Sequence, residues 1–209
     1  MLGEEADRET QMVKVDVLRG PKEITPVIDE IARLRISVFR DWPYLYAGTM
    51  EEEAKYLAHF AQSEHACVGL ARDGDKVVGA TTAEPMPSTH EEFRAPFESA
   101  GIDISAIFYF GESVLLDEYR GKGLGHAFFD LREEAARAWG AELTAFCAVQ
   151  RPDDHPLKPD DYRPLDGFWT RRGYQPRPDL VCEFPWVDAG EDTETLKPLM
   201  YWVHSLFSA

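Results

Sequence analysis

The spacing of apolar and polar residues changes period several times along the chain, and each change marks an element. Val13, Val15 and Val17 alternate with polar residues between Gln11 and Leu18, which predicts a first strand. Gly20-Pro21 breaks it. Ile24, Val27, Ile28, Ile31, Leu34 and Val38 then recur at helical spacing, with Pro26 in the first turn. Met50, Ala54, Leu57, Ala58 and Ala61 trace a second helix over 51–62. Residues 66–72, the turn Asp73-Gly74-Asp75 and residues 76–83 read as a β-hairpin. Residues 89–100 are weakly helical and acidic, and their pattern does not place them on the core. The run from Ile107 to Leu116 is rich in aromatic and β-branched residues and reads as a buried strand. Beyond it, Leu124, Ala127, Phe128, Leu131, Ala135 and Ala138 follow a helical period to Trp139. His126, Asp130, Arg132, Glu133, Glu134 and Arg137 fall on the opposite side, and Phe129 breaks the pattern as if to touch another element. Residues 143–149 have strand composition and follow that helix as the partner strand of a βαβ unit. Residues 150–164 read as a loop over the sheet edge, 165–172 as a short helix, and 179–186 and 197–206 as final strands. The acidic segment 188–194 between those strands reads as a solvated turn.

The chemistry concentrates where the central strand gives way to its helix, through Asp117-Glu118-Tyr119-Arg120-Gly121-Lys122-Gly123-Leu124-Gly125. The first amides of a helix lack intrahelical acceptors and can point at an anion. Glycines let the backbone approach closely and take positive φ. Arg120 and Lys122 add positive charge in an otherwise acidic chain. A P-loop would need Lys-Ser or Lys-Thr after the glycines, and neither occurs. A dinucleotide fingerprint would need its third glycine where His126 stands.

The spacing R-x-x-G-x-G, from Arg120 through Gly123 to Gly125, resembles the acyl-CoA pyrophosphate loop of the GNAT superfamily of N-acyltransferases. The string Leu115–Gly125 is similar to that family's V-x-P-E-Y-R-G-x-G-x-G, with Leu for Val and Asp for Pro. Phe168-Trp169-Thr170-Arg171-Arg172-Gly173-Tyr174 resembles its second signature, F-Y-x-x-x-G-F. The resemblance implies an α/β (α+β) fold: a mixed central sheet of six to seven strands, about four flanking helices, and a splayed pair of parallel strands in the middle. It implies one GNAT-like acyltransferase domain over 11–209, behind a polar tail over 1–10. It further implies that backbone groups of Ser113, Val114 and Leu115 hold the pantetheine arm. Amides from Arg120 through Gly121, Lys122, Gly123, Leu124 and Gly125 to His126 would take the pyrophosphate.

Composition narrows the partners. The 209 residues carry a formal net charge of −16, which argues against general nucleic-acid binding and permits attraction of a cationic amine. No apolar run is long enough to span a membrane, so no membrane partner is expected. Cys67, Cys147 and Cys182 lie far apart, and a reduced, cytoplasmic setting is the simplest reading. No His, Cys or carboxylate cluster has metal-ligand spacing. Oligomeric state stays open, a homodimer included.

Acyl transfer to an amine needs a held donor, a deprotonated amine, and stabilisation of the oxyanion and leaving thiolate. The donor expected is acetyl-CoA and the acceptor a primary amine of a small molecule or peptide. Glu112 is the candidate base, because an acid inside so apolar a strand is costly unless used or paired. Burial must raise its pKa, or water must relay the proton, for it to serve. The alternative is a structural ion pair with an arginine. The resemblance places the usual acidic Tyr where Trp169 stands, and an indole N–H is no useful acid. Tyr162, Tyr174 or solvent is left to protonate the thiolate. Cys147 in apolar company reads as inert core more readily than as an acyl carrier. The aromatic segment Phe39–Thr49 and the loop His155 offer an acceptor wall from Trp42, Tyr44, Tyr46 and His155. Two other classes fit the same residues: a sensor that binds acyl-CoA without turnover, and an interaction protein with Trp42–Tyr46 as a docking patch.

Overall fold

The computed structural model describes residues 13–207, so the tail expected over 1–10 lies outside the described residues. The chain runs β1 (Lys14–Arg19), α1 (Gly20–Ile24), α2 (Ile28–Phe39), α3 (Met50–Phe60), β2 (Cys67–Asp73), β3 (Lys76–Pro85), α4 (Glu91–Ser99) and β4 (Ile107–Leu115). It continues through α5 (Leu124–Trp139), β5 (Leu143–Val149), α6 (Asp166–Arg171), β6 (Gln175–Val187) and β7 (Glu194–Ser205), with short 3-10 turns between. The strands form one mixed sheet in the order β1-β2-β3-β4-β5-β7-β6. Only β4 and β5 run parallel, and they pair over Ile107–Tyr109 and Leu143–Ala145 before parting. This is the GNAT architecture, with its splayed middle pair.

The two faces of the sheet are covered by different helices. Ile31, Ala32 and Leu34 of α2 and Leu57 and Phe60 of α3 cluster with Val68, Leu70, Ala80 and Val114. On the opposite face, Phe129, Leu131, Ala135 and Ala136 of α5 cluster with Phe108, Phe110 and Phe146. Phe129, out of register with the other apolar residues, stacks edge-on against Phe110, Phe146, Phe168 and Tyr174.

Three expectations need correction. The segment 89–100 is core-forming, since α4 buries Phe93 and Phe97 beside Tyr109 and Tyr201. Its Phe spacing of four is one helical turn, a signal diluted by the acidic residues around it. Arg132 is not on a solvated face: it is buried between the rings of Phe110 and Phe129, 4.4 and 4.5 Å from their centroids. Cation–π attraction substitutes for hydration there, and burial pulls its pKa down to about 10. Asp188 is likewise no solvated turn residue. It is buried, paired with Arg151 at 2.7 Å and with Lys197 at 3.4 Å. Among the described residues, no helix is long and apolar enough to cross a membrane.

Candidate active site

A β-bulge aims the central acid. Thr81 pairs with Ser113 and Ala83 with Phe110, so Thr82 alone faces both Gly111 and Glu112. Gly111 permits this, because a Cβ there would stand 2.5 Å from Thr82 Oγ1. The Glu112 amide donates to Thr82 Oγ1 at 3.2 Å, and Thr81 Oγ1 donates to the Glu112 carbonyl at 3.1 Å. An unbroken strand would keep Glu112 on the face of Phe108 and Phe110, against α5. The extra residue moves Glu112 to the opposite face, where Val114 joins the α2 and α3 cluster.

Glu112 meets Arg35 there. Arg35 Nη1 lies 2.5 Å from Glu112 Oε2, and Arg35 Nε lies 2.5 Å from Glu53 Oε2. All three residues are buried, and the guanidinium also packs on the Phe39 and Tyr56 rings. The second oxygens, Glu112 Oε1 and Glu53 Oε1, have no hydrogen-bond partner among the described residues. Burial pushes the Glu112 carboxyl above its usual range, against the pull of Arg35 and with a push from Glu53. Burial works against the Arg35 charge, but Glu112, Tyr56 and Glu53 outweigh it and hold the group protonated. The sequence reading missed Arg35 and Glu53. The signal was present: each interrupts the apolar stripe of its helix, Arg35 between Ile31 and Val38 and Glu53 one turn before Leu57.

The triad lines a cavity of about 390 Å³, within the range of small-molecule sites. Its walls come from Phe39, Tyr44 and Tyr46 of the aromatic segment, Tyr56 of α3, and Phe184 and Trp186 of β6. Tyr109, Gly111 and Cys147 mark where β4 and β5 part, so the cavity opens at the splay. The aromatic segment is fastened there by Arg151. Its guanidinium donates to the Pro43 and Tyr44 carbonyls at 2.9 and 2.6 Å while holding Asp188 bidentately. Trp186 Nε1 also donates to the Tyr44 carbonyl, at 3.1 Å. Phe39, Tyr44 and Tyr46 thus face the cavity, while Trp42 does not line it.

The other candidates separate. Tyr44 and Tyr46 line the cavity, whereas Trp42 and His155 pack together with Tyr162 beside it, at centroid distances of 5.0 and 5.9 Å from Trp42. Tyr174 lies away from the cavity. It is fully buried in the α5 cluster, with its hydroxyl 3.0 Å from Thr144 Oγ1. Trp169 packs in that cluster too, on Phe146 and Trp202. The Cys147 thiol meets the Tyr109 hydroxyl at 3.3 Å, and burial holds it far above the range in which a thiolate forms. Glu84 of β3 was not anticipated. It is buried, its Oε2 has no partner, and burial pushes its pKa up to about 8, with Ser63 pulling the other way. Glu84 and Glu112 share a small second void with His90 and Tyr56.

At the far end of β4, a 3-10 turn over Asp117–Tyr119 leads into the glycine loop. Gly121 and Gly123 take φ of +72° and +87°, and Gly123 caps α5. The amides of Gly121, Lys122, Gly123, Leu124 and Gly125 donate no backbone hydrogen bond among the described residues. The expected run is shorter at both ends. Arg120 N–H is taken by the Asp117 carbonyl and His126 N–H by the Gly123 carbonyl, each at 3.0 Å. Arg120 pairs with Asp117, Lys122 stands over the Tyr119 ring, and the His126 ring packs on Phe168. Gly125 needs its missing side chain for nothing in the chain itself: a Cβ there would meet only Phe168, at 3.7 Å. Ser113, Val114 and Leu115 pair with β3 on one side and face the parted β5 on the other. Among the described residues, no group of three or more His, Cys, Asp or Glu is arranged to hold a metal.

Comparison with known proteins agrees with the architecture. An acetyltransferase from Thermus thermophilus superposes with a TM-score of 0.54 at 16% identity, covering 92% of this chain and 97% of that one. The ribosomal-protein-alanine N-acetyltransferase of Brucella melitensis gives 0.57 at 12% identity, covering 92% and 99%. The yncA protein of Salmonella typhimurium, solved with its cofactor acetyl-CoA, gives 0.54 at 11% identity, covering 95% and 96%. At such identities the likeness is one of fold. No curated protein matches the chain. The sequence model of the acetyltransferase (GNAT) family matches residues 31–158, more than half of the chain. The chain belongs to the GNAT family of acetyltransferases.

Proposed function

We propose that this protein transfers the acetyl group of acetyl-CoA directly to a primary amine bound in the aromatic cavity. One observation carries the reading: a single strand, β4, presents a buried acid to that cavity and ends in a helix start with five free amides. The residues fit the donor. Consecutive free amides and the α5 dipole suit a pyrophosphate, and Gly125 leaves room at the helix start that packing does not require. The open edge of β4 along Ser113–Leu115 suits the amides of an extended pantetheine arm. Acetyl-CoA supplies the activated thioester; the chain's own residues orient the amine and take its proton.

Glu112 takes that proton. A raised pKa makes it a better base than an ordinary carboxylate, while Arg35 favours its ionised form. The freed amine attacks the thioester carbonyl, forming the C–N bond as the C–S bond breaks, and the nitrogen's second proton passes to solvent. A thiol with a pKa of about 8.5 is already a good leaving group at neutral pH, so the departing sulfur can take its proton from solvent. Tyr162, near the cavity, is then dispensable, and Tyr174 has no part. A cytoplasmic setting, with the three cysteines reduced, fits this use of CoA.

Isothermal titration with acetyl-CoA and CoA tests the donor site; affinity no better than millimolar would end the reading. A second reading, a sensor that binds the donor without turnover, is favoured by Trp169 lying in the aromatic core where the family's Tyr is expected. CoA release with any amine would remove it.

A further inference from the structure

Among the described residues, the cavity lining carries four carboxylates, Glu52, Glu53, Glu112 and Glu194, against Arg35 and Lys55, both already paired. Two carboxylates, Glu53 and Glu112, share one guanidinium, and each keeps one oxygen with no partner. Their relative exposures are 1% and 6%, so water does little to hydrate those oxygens. A buried carboxylate left unpaired is costly, and a cation drawn to the two would offset that cost. The Tyr46 hydroxyl stands near Glu53, yet Glu53 Oε1 completes no hydrogen bond.

The rest of the lining is apolar or already engaged. Between floor and mouth the walls are the rings of Phe39, Tyr44, Tyr56, Phe184 and Trp186. The one lysine in the lining, Lys55, is solvent-exposed and paired with Glu51 at 2.8 Å. The cations behind the wall are internally spent: Arg151 holds Asp188 and two carbonyls, and Lys197 holds Asp188 and the Trp186 carbonyl. A carboxylate on the acceptor would therefore face either aromatic rings or two acids. Glu52 and Glu194 at the lining's outer part add negative charge that draws cations inward.

Resting on the acetyltransferase reading, we propose that the acceptor is a monoamine with an aromatic or alkyl body and no carboxylate, its ammonium drawn to the end of the cavity where Glu53 and Glu112 share Arg35. The rings enclose the body, and an α-amino acid bearing the same side chain is excluded by its carboxylate. A buried unpaired charge against a matched apolar group implies discrimination of at least about 100-fold.

The test uses matched pairs with the full-length enzyme and acetyl-CoA: tryptamine against tryptophan, phenethylamine against phenylalanine, with hexylamine and spermidine alongside. The expected result is a kcat/KM for each monoamine at least about 100-fold above its amino acid and no lower than that of spermidine. Equal rates for amine and amino acid, or a preference for spermidine, would overturn the inference while leaving the acetyltransferase intact. Amine binding is measured separately, without acetyl-CoA, by calorimetry. Tryptamine binding with tryptophan excluded, in a protein that transfers nothing, would sink the activity and keep the site. No binding of any monoamine would overturn the inference. Glu53→Gln, which still accepts from Arg35, is expected to weaken tryptamine binding about tenfold or more and to leave acetyl-CoA affinity unchanged. Wild-type affinity for tryptamine in that variant would overturn the placement of the ammonium at the two acids.

Discussion

At the scale of single residues, two buried acids act in opposite ways. Glu112 is paired through one oxygen and open through the other, as a base must be. Glu112→Gln is expected to lower turnover by about 10²–10⁴-fold with little change in acetyl-CoA affinity, read from steady-state kinetics beside calorimetry. Normal activity would leave Glu112 as a structural partner of Arg35. Glu84 is a liability for stability at high pH. Its folded-state pKa of about 8 lies above the ordinary carboxylate value, so the folded protein binds its proton more tightly than the unfolded chain does. Stability from that group is full below about pH 4.5 and is lost as pH rises to about 8. Glu84→Gln should therefore stabilise the protein by about 1–3 kcal/mol at pH 8.5 and by almost nothing at pH 4.5, in denaturant titrations at the two pH values.

The cost of placing an acid in an apolar strand made Glu112 visible in the sequence. Arg35 and Glu53 each left a mark as a charge in an apolar stripe, but their pairing with it did not, because they lie 77 and 59 positions upstream on separate helices and only the fold brings Arg35 within 2.5 Å of both acids.

At the scale of elements, the glycine loop and the strand before it were the most legible part of the chain. The phosphate recognition proposed there would depend on backbone, and glycine spacing is written directly in sequence. Gly125→Ala gives a clean test, since a Cβ there meets only the Phe168 ring, at an ordinary contact distance of 3.7 Å. Acetyl-CoA affinity should fall at least about tenfold while the melting temperature stays within a few degrees. The bulge at Gly111 and Glu112 was less legible. An isolated glycine in a strand is its ordinary sign, but its effect is to change which face Glu112 occupies, and alternation read without it gives the wrong face. α4 escaped for a different reason: two phenylalanines decide its burial, against a background of acidic residues that dominate the average. Segments distant in sequence, the aromatic segment, α3 and β6, built the cavity wall. The fastening of Tyr44 by Arg151 and Trp186, more than a hundred positions away, has no local signature.

At the scale of the whole molecule, the charge of −16 would act with opposite sign on the two proposed substrates. It would draw a cationic amine toward the cavity and oppose an anionic donor except at the glycine loop. Screening over about 10 Å at 0.1 M salt weakens both effects. Raising salt from about 0.02 to 0.5 M should raise the KM for the amine several-fold and leave the KM for acetyl-CoA level or lower; parallel increases would refute this assignment of the field. The element order that identified the architecture came from periodicity, which reports local burial well. The cavity did not, because its volume depends on how far the two middle strands diverge.

That divergence has a mechanical side. With three paired positions joining β4 to β5, the molecule is two slabs meeting at a short seam: β1 to β4 on one side, β5 to β7 on the other. A donor arm laid along the seam would bond to one slab and press on the other, tying them together like a lacing. Saturation at about a hundred times Kd should then contribute about 2.7 kcal/mol to stability. Thermal melts would show it as a rise of roughly 5–10 °C, and amides along the open side of β4 would become slow to exchange with deuterium.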